Sequence, residues 1–188
     1  VDERDARQGR YTSYYEETKH RAHEIARDLI RRGLPCVIVQ PGQVYGPGAH
    51  SGIGALMRRF AAGRLPALVF GDLGLNFVHV EDVASGVLLA LERGWPGESY
   101  VLGGEITTLR GMIAILGRVT GRRPPRLAVP DALLRLAAVA SPALRETVSS
   151  AAGVTFWARD EKARRELGYA PRTLEQGLRD TFGRGTVG

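Results

Sequence analysis

Tyr15 and Lys19 stand four residues apart in the run Tyr15-Glu16-Glu17-Thr18-Lys19. On a helix that spacing stacks a phenol and an ammonium on one face, one turn apart. A free phenol titrates near about 10, too high for a good base at neutral pH. A nearby cation favours the phenolate. Such a pair suits proton transfer at a carbonyl or alcohol oxygen. The ammonium also has donors to spare for neighbouring hydroxyls. Six tyrosines and two lysines give odds of roughly 0.06 for one such pair by chance. The alternative reading is a solvated helix face on which a tyrosine leans against a lysine.

The surrounding elements must hold the pair in place. Residues 11–32 read as a helix, with Ala22, Ile25, Ala26, Leu29 and Ile30 at three- and four-residue spacing. Gly33 stops it and Pro35 follows. Residues 36–40 form a short, continuous apolar strand of the buried parallel type. A helix, a tight turn and a buried strand make one α/β unit. Residues 41–48 are a loop by composition. Further helices are expected at 54–62, 81–93, 108–120, 160–167 and 174–182. Strands are expected at 67–70, 77–80 and 99–102, and Pro124 and Pro125 mark a linker into 131–140.

Other residue types invite chemistry and read otherwise. Cys36, the single cysteine, sits in an apolar run and reads as a small buried residue. His79 reads as a buried, hydrogen-bonded structural residue rather than a base. Asp82 reads as the cap of the helix that follows it. His20 and His23 are expected to be exposed, and Trp95 and Trp157 to pack. Gly48, Gly52 and Gly54 imitate a dinucleotide turn, but Pro41 and Pro47 separate them from the strand. They read as a flexible loop beside the substrate.

Net charge is +6. No nucleic-acid motif accompanies that excess, and the arginines read as spread along helical faces without aromatics between them. The reading is therefore no nucleic-acid partner. No stretch reaches the roughly 18 apolar residues of a membrane span. The longest candidate, 132–144, is broken by Arg135 and by Ser141-Pro142. It is expected to be a core helix or a homodimer contact. Cover for a hydrophobic substrate, or a touch on a membrane surface, is the lesser alternative. The chain opens on charged residues without a secretory signal, and its unpaired Cys36 fits a reducing cytoplasm.

The Tyr15–Lys19 helix leads into a strand and then Gln40-Pro41-Gly42-Gln43-Val44-Tyr45-Gly46-Pro47-Gly48. Later comes Phe77-Val78-His79-Val80-Glu81-Asp82-Val83-Ala84. These three ordered segments resemble the extended short-chain dehydrogenase/reductases, the NAD-dependent epimerase/dehydratase family. The resemblance runs from about Tyr11 to the end. Within the family the chain is most similar to dihydroflavonol-reductase-like and hopanoid-associated sugar epimerase proteins. Carrying that similarity are 74–80, 99–105 and 162–169. The resemblance implies Tyr15 as the acid/base and Lys19 as the ligand of a nicotinamide ribose. Pro41, Gly42 and Val44 would line the nicotinamide of NAD or NADP.

Two departures matter. Gln40 stands where arginine is common in the family. Leu75-Asn76 stands where nucleotide-sugar members carry an arginine that grips a diphosphate. A less charged carbonyl or alcohol is therefore expected over a diphosphate-linked sugar. The glycine-rich pyrophosphate turn and a third catalytic serine or threonine belong upstream of Tyr15 by resemblance. The chain accordingly reads as the C-terminal part of such an enzyme, inactive by itself.

The expected fold class is α/β, the C-terminal portion of a Rossmann-type NAD(P)-binding fold plus a small α/β substrate domain. Residues 1–48 would end the Rossmann-type domain. Residues 49–188 would be mainly the substrate domain, with 77–102 returning to the Rossmann core. The implied activity is NAD(P)-dependent reduction or epimerisation at a carbonyl or secondary alcohol of a small molecule or sugar. The rival reading is a non-catalytic binding or assembly module that keeps the fold.

Overall fold

A computed structural model of the chain describes Glu3, Tyr11, 14–49, 51–129, Val139 and 155–183. The segment 132–144 lies outside the described residues, Val139 apart.

Helix α1 (Tyr14–Arg31) carries acidic residues in its first turn and Arg31 in its last, matching the helix dipole. No residue of α1 is buried. Gly33, at φ 99°, turns the chain into β1 (Ile38–Pro41). β1 lies parallel to β5 (Ser99–Leu102), with Ile38 opposite Ser99 and Pro41 opposite Leu102. The strand begins two residues later than expected, and Cys36 is only half-buried before it.

A second sheet is built around β4 (Gly74–His79), every residue of which is buried. β2 (Gln43–Tyr45) runs parallel to it, and β6 (Glu105–Thr108) antiparallel. β8 (Thr155–Phe156) pairs with its start. A short third pairing joins β3 (Ala67–Leu68) to β7 (Leu127–Ala128). The expected strand 67–70 is thus cut to two residues, because Phe70 takes a positive φ of 53° into a turn. The expected strand 77–80 gains three residues at its start and yields Val80 to α3 (Val80–Arg93).

The helices follow their punctuation. Ser51 caps α2 (Gly52–Ala61) by accepting from Gly54 N, which gives the dinucleotide-like glycines a helix-capping role. Thr108 caps α4 (Leu109–Thr120), and Gly121 closes it at φ 70°. α5 (Glu161–Leu167) and α6 (Leu174–Phe182) complete the chain; Thr173 and Gln176 form a capping box on α6.

The buried apolar residues form two separate cores. Leu75 and Phe77 join Tyr45, Met57, Phe60, Met112, Leu116 and Leu178 between α2, α4 and α6. Tyr100, Leu102, Ala163 and Leu167 form the other, where α3 and α5 meet β5. Each fully buried leucine of this kind contributes about 2 kcal/mol.

Candidate active site

Tyr15 is 70% exposed and is the second residue of α1. The Lys19 ammonium lies over its ring, 5.6 Å from the centroid. Thr18 Oγ1 donates to the Tyr15 carbonyl at 2.8 Å, so its hydroxyl is turned back onto the helix. Glu17 is engaged by Arg21 at 2.6 Å. Among the described residues no carboxylate pairs with Lys19, which leaves its donors open to solvent.

The stripe continues to His23, four residues beyond Lys19 and about 6 Å further along the helix axis. His23 Nδ1 lies 3.5 Å from Gln40 Nε2, which joins α1 to the C-terminal end of β1. His23 and His20 are half-buried rather than exposed, because His23 faces β1 and His20 stacks against Tyr11 at 5.8 Å. Pro41 is exposed at the end of β1, and Gly42 donates to Leu102 O at 3.1 Å as the chain leaves that sheet. Val44, half-buried, enters β2 opposite Val78. In α/β folds ligands gather beyond the carboxyl ends of parallel strands. Tyr15 and Lys19 are brought together, Pro41 and Gly42 occupy the strand end to which their helix is tied, and Val44 lies beyond it in β2 of the other sheet.

Asn76 shapes that strand end. It is 2% exposed in an otherwise apolar strand. Its Oδ1 accepts from Gly104 N at 2.6 Å, and its Nδ2 donates to Ala158 O. A Cβ at Gly42 would stand 2.5 Å from Asn76 O, and one at Gly103 would collide with the Asn76 amide. Sequence reasoning treated Asn76 only as a departure from a family pattern. The available signal was a carboxamide inside a buried run, which must find partners.

The remaining polar groups are structural. Burial pushes the Tyr45 and Tyr169 phenols far above their ordinary range, and nearby Asp82 adds to it. Both stay protonated; Tyr45 donates to Leu174 O at 3.4 Å and Tyr169 to Gly103 O at 2.7 Å. Neither can serve as a base near neutral pH. His79 caps α3, with Nδ1 accepting from Glu81 N at 3.3 Å and Nε2 near Thr181 Oγ1 at 3.4 Å. Burial, and then Arg172, hold its pKa below the ordinary histidine value.

The cap expected from Asp82 is therefore supplied by His79. Asp82 instead receives Arg172, whose Nε and backbone N reach it at 3.0 and 3.1 Å. The same guanidinium reaches Glu81 at 2.9 Å and Asp180 at 2.8 Å, a node that sequence reasoning missed. Lys162 binds Glu98 at 2.6 Å and lies 4.7 Å over Tyr100. Trp95 is 69% exposed, so the expected packing role fails for it, and Trp157 is 46% exposed. Among the described residues no cluster of His, Cys, Asp and Glu could hold a metal, and no helix is long and apolar enough to cross a membrane.

Parallel β1–β5 and β2–β4 pairings, with α1 leading into β1 and α3 joining β4 to β5, define a Rossmann-type α/β fold. The model of the NAD dependent epimerase/dehydratase family matches residues 2–103, and the chain belongs to that family. A Synechocystis sp. protein named for dihydroflavonol 4-reductase is 33% identical over 182 residues, covering 88% of this chain and 52% of its own. The Stigmatella aurantiaca 4-hydroxy-2-methyl-3-oxo-4-farnesyl-3,4-dihydroquinoline-1-oxide ketoreductase is 31% identical over 193 residues, 95% and 58% of the two chains. The crystal structure of gox2253 is 33% identical and superposes with a TM-score of 0.82, covering 100% of this chain and 62% of that one. The chain thus spans about half the length of the curated relatives it matches.

Proposed function

We propose that the protein is an NAD(P)-dependent reductase or epimerase acting at a carbonyl or secondary alcohol, with Tyr15 as its acid/base and Lys19 as its ribose ligand. The observation that carries this reading is the exposed phenol with an ammonium 5.6 Å over its ring, one turn away. Family membership and two relatives named for reduction support it.

The donor set fits a nicotinamide ribose. Lys19 offers three N–H donors and no acceptor, and the Tyr15 hydroxyl can both donate and accept. Pro41 and Gly42 lie at the strand end to which the His23–Gln40 contact ties α1, and Val44 follows in β2. A bound nicotinamide would supply or accept the hydride. Tyr15 gives its proton to the carbonyl oxygen in reduction and takes the alcohol proton in oxidation. Lys19 holds the cofactor hydroxyls and keeps a positive charge beside the phenol as its proton moves.

The substrate class follows from Leu75. It is 6% exposed and belongs to the core around Met112 and Leu116. No guanidinium for a diphosphate stands there, so a less charged carbonyl or alcohol is favoured over a nucleotide-linked sugar. Fluorescence titration of the full gene product with NADH and NADPH tests the proposal. Saturable binding of either, weakened in Lys19→Met, is expected. No binding of either would overturn it in favour of a non-catalytic module.

A further inference from the structure

The arginines are not distributed as their sequence positions suggest. Residues 51–71 and 106–130 contain eight arginines and no aspartate or glutamate. The rest of the chain is therefore net acidic, at −2 against a total of +6. Two of the eight are neutralised by partners elsewhere, Arg110 by Asp72 at 3.3 Å and Arg118 by Glu175 at 3.5 Å. Arg58, Arg59, Arg64, Arg122, Arg123 and Arg126 have no ion pair among the described residues, and all six are exposed.

The fold brings five of these, all but Arg58, to one corner. Arg122 Nε donates to Ala61 O at 2.5 Å, which sets the end of α4 against the end of α2. Its guanidinium lies over Gly63. The β3–β7 pairing lays Arg64-Leu65-Pro66 beside Pro124-Pro125-Arg126, about one strand spacing apart. Arg58 is set apart, since its Nη1 turns back along α2 to Ala49 O, before the helix start, at 2.5 Å.

Cations at helix C-termini are expected, since they complement the dipole. The two helix ends here offset about one charge in all, roughly half a charge each. The five exposed arginines exceed that offset several-fold, a positive surplus complementary to an anionic partner.

We propose that this corner docks the protein on an anionic phospholipid surface. A lipid surface reads charge without demanding a shape. Nucleic acid is disfavoured by the geometry. The corner presents helix ends rather than a helix side that could lie in a groove. Its aromatics, Phe60 and Phe70, are buried and half-buried, so no stacking platform is offered. The exposed apolar residue next to Arg126 is Leu127, 68% exposed, which suits insertion among headgroups.

Co-sedimentation with phosphatidylcholine vesicles, with and without phosphatidylglycerol, tests the proposal. Binding to the anionic vesicles alone, lost at high salt, is expected. The quadruple variant Arg59→Gln, Arg64→Gln, Arg123→Gln, Arg126→Gln spares the two carbonyl-bound arginines. It should lower partitioning by about a hundredfold or more, since each basic residue contributes a factor of roughly five. The matching quadruple lysine variant should stay within about twofold of wild type, because charge rather than guanidinium geometry is read. Equal binding to both vesicles would overturn the proposal. So would loss of binding in the lysine variant, unaltered binding in the glutamine variant, or retention by duplex DNA without vesicle binding.

Discussion

The Lys19 ammonium lies 5.6 Å from the centroid of the Tyr15 ring, a turn along the same exposed helix. Neither side chain is consumed by the fold, whereas Tyr45, Tyr100 and Tyr169 are buried and donate or accept within it. Lys162, the other lysine, is committed to Glu98 and Ser99 O. Tyr15 and Lys19 are both exposed and in contact with each other.

Replacing the ammonium should separate binding from folding. Lys19→Met should raise the KM for NADH or NADPH about 10- to 100-fold, the worth of one or two hydrogen bonds from a charged donor. Thermal denaturation should be unchanged, since Lys19 is exposed and pairs with no carboxylate among the described residues. Steady-state kinetics beside a melting curve check both.

Asn76→Ala should lower stability by about 3 kcal/mol. The change orphans Gly104 N–H and the Ala158 carbonyl, each costing roughly 1–3 kcal/mol when buried. Urea unfolding measures it. Equal stability would mean that water replaces the carboxamide.

Arg172→Met should cost about 2 kcal/mol. It strips the mostly buried Asp82 of its hydrogen bond from Nε, leaving only the one from the backbone N of residue 172, and leaves Glu81 and Asp180 without their shared cation. Loss of a fully buried pair costs about 3–5 kcal/mol, and the exposure of Glu81 and Asp180 discounts that figure. The deficit should shrink in high salt.

His79 predicts a pH dependence of definite sign. Burial, with Arg172, depresses its pKa in the folded chain. The unfolded chain therefore takes up the proton first as pH falls through about 6.5. The stabilisation is complete above that value and is lost as pH falls toward the lower, folded pKa. Urea midpoints should drop more between about pH 7.5 and 5.5 for wild type than for His79→Asn, which keeps an acceptor for the cap.

The sequence spoke clearly where local chemistry decides. Ser99–Leu102 and Leu174–Phe182 have the expected bounds, because glycines, a capping threonine and apolar periodicity act within a few residues. The Tyr15–Lys19 juxtaposition was legible for the same reason, since helix geometry alone creates it. β2 and β6 were not, being three- and four-residue strands defined by pairing with β4 rather than by their own pattern. Asp82 was misread because its partner, Arg172, lies 90 residues away. Trp95 was misread because size alone does not bury a residue.

The direct test of the Tyr15 assignment is Tyr15→Phe in the full gene product, assayed for NADH- and NADPH-dependent reduction of a panel of ketones. The account predicts a fall in kcat of about 100-fold or more, with nucleotide binding held within about twofold. Turnover equal to wild type would contradict it.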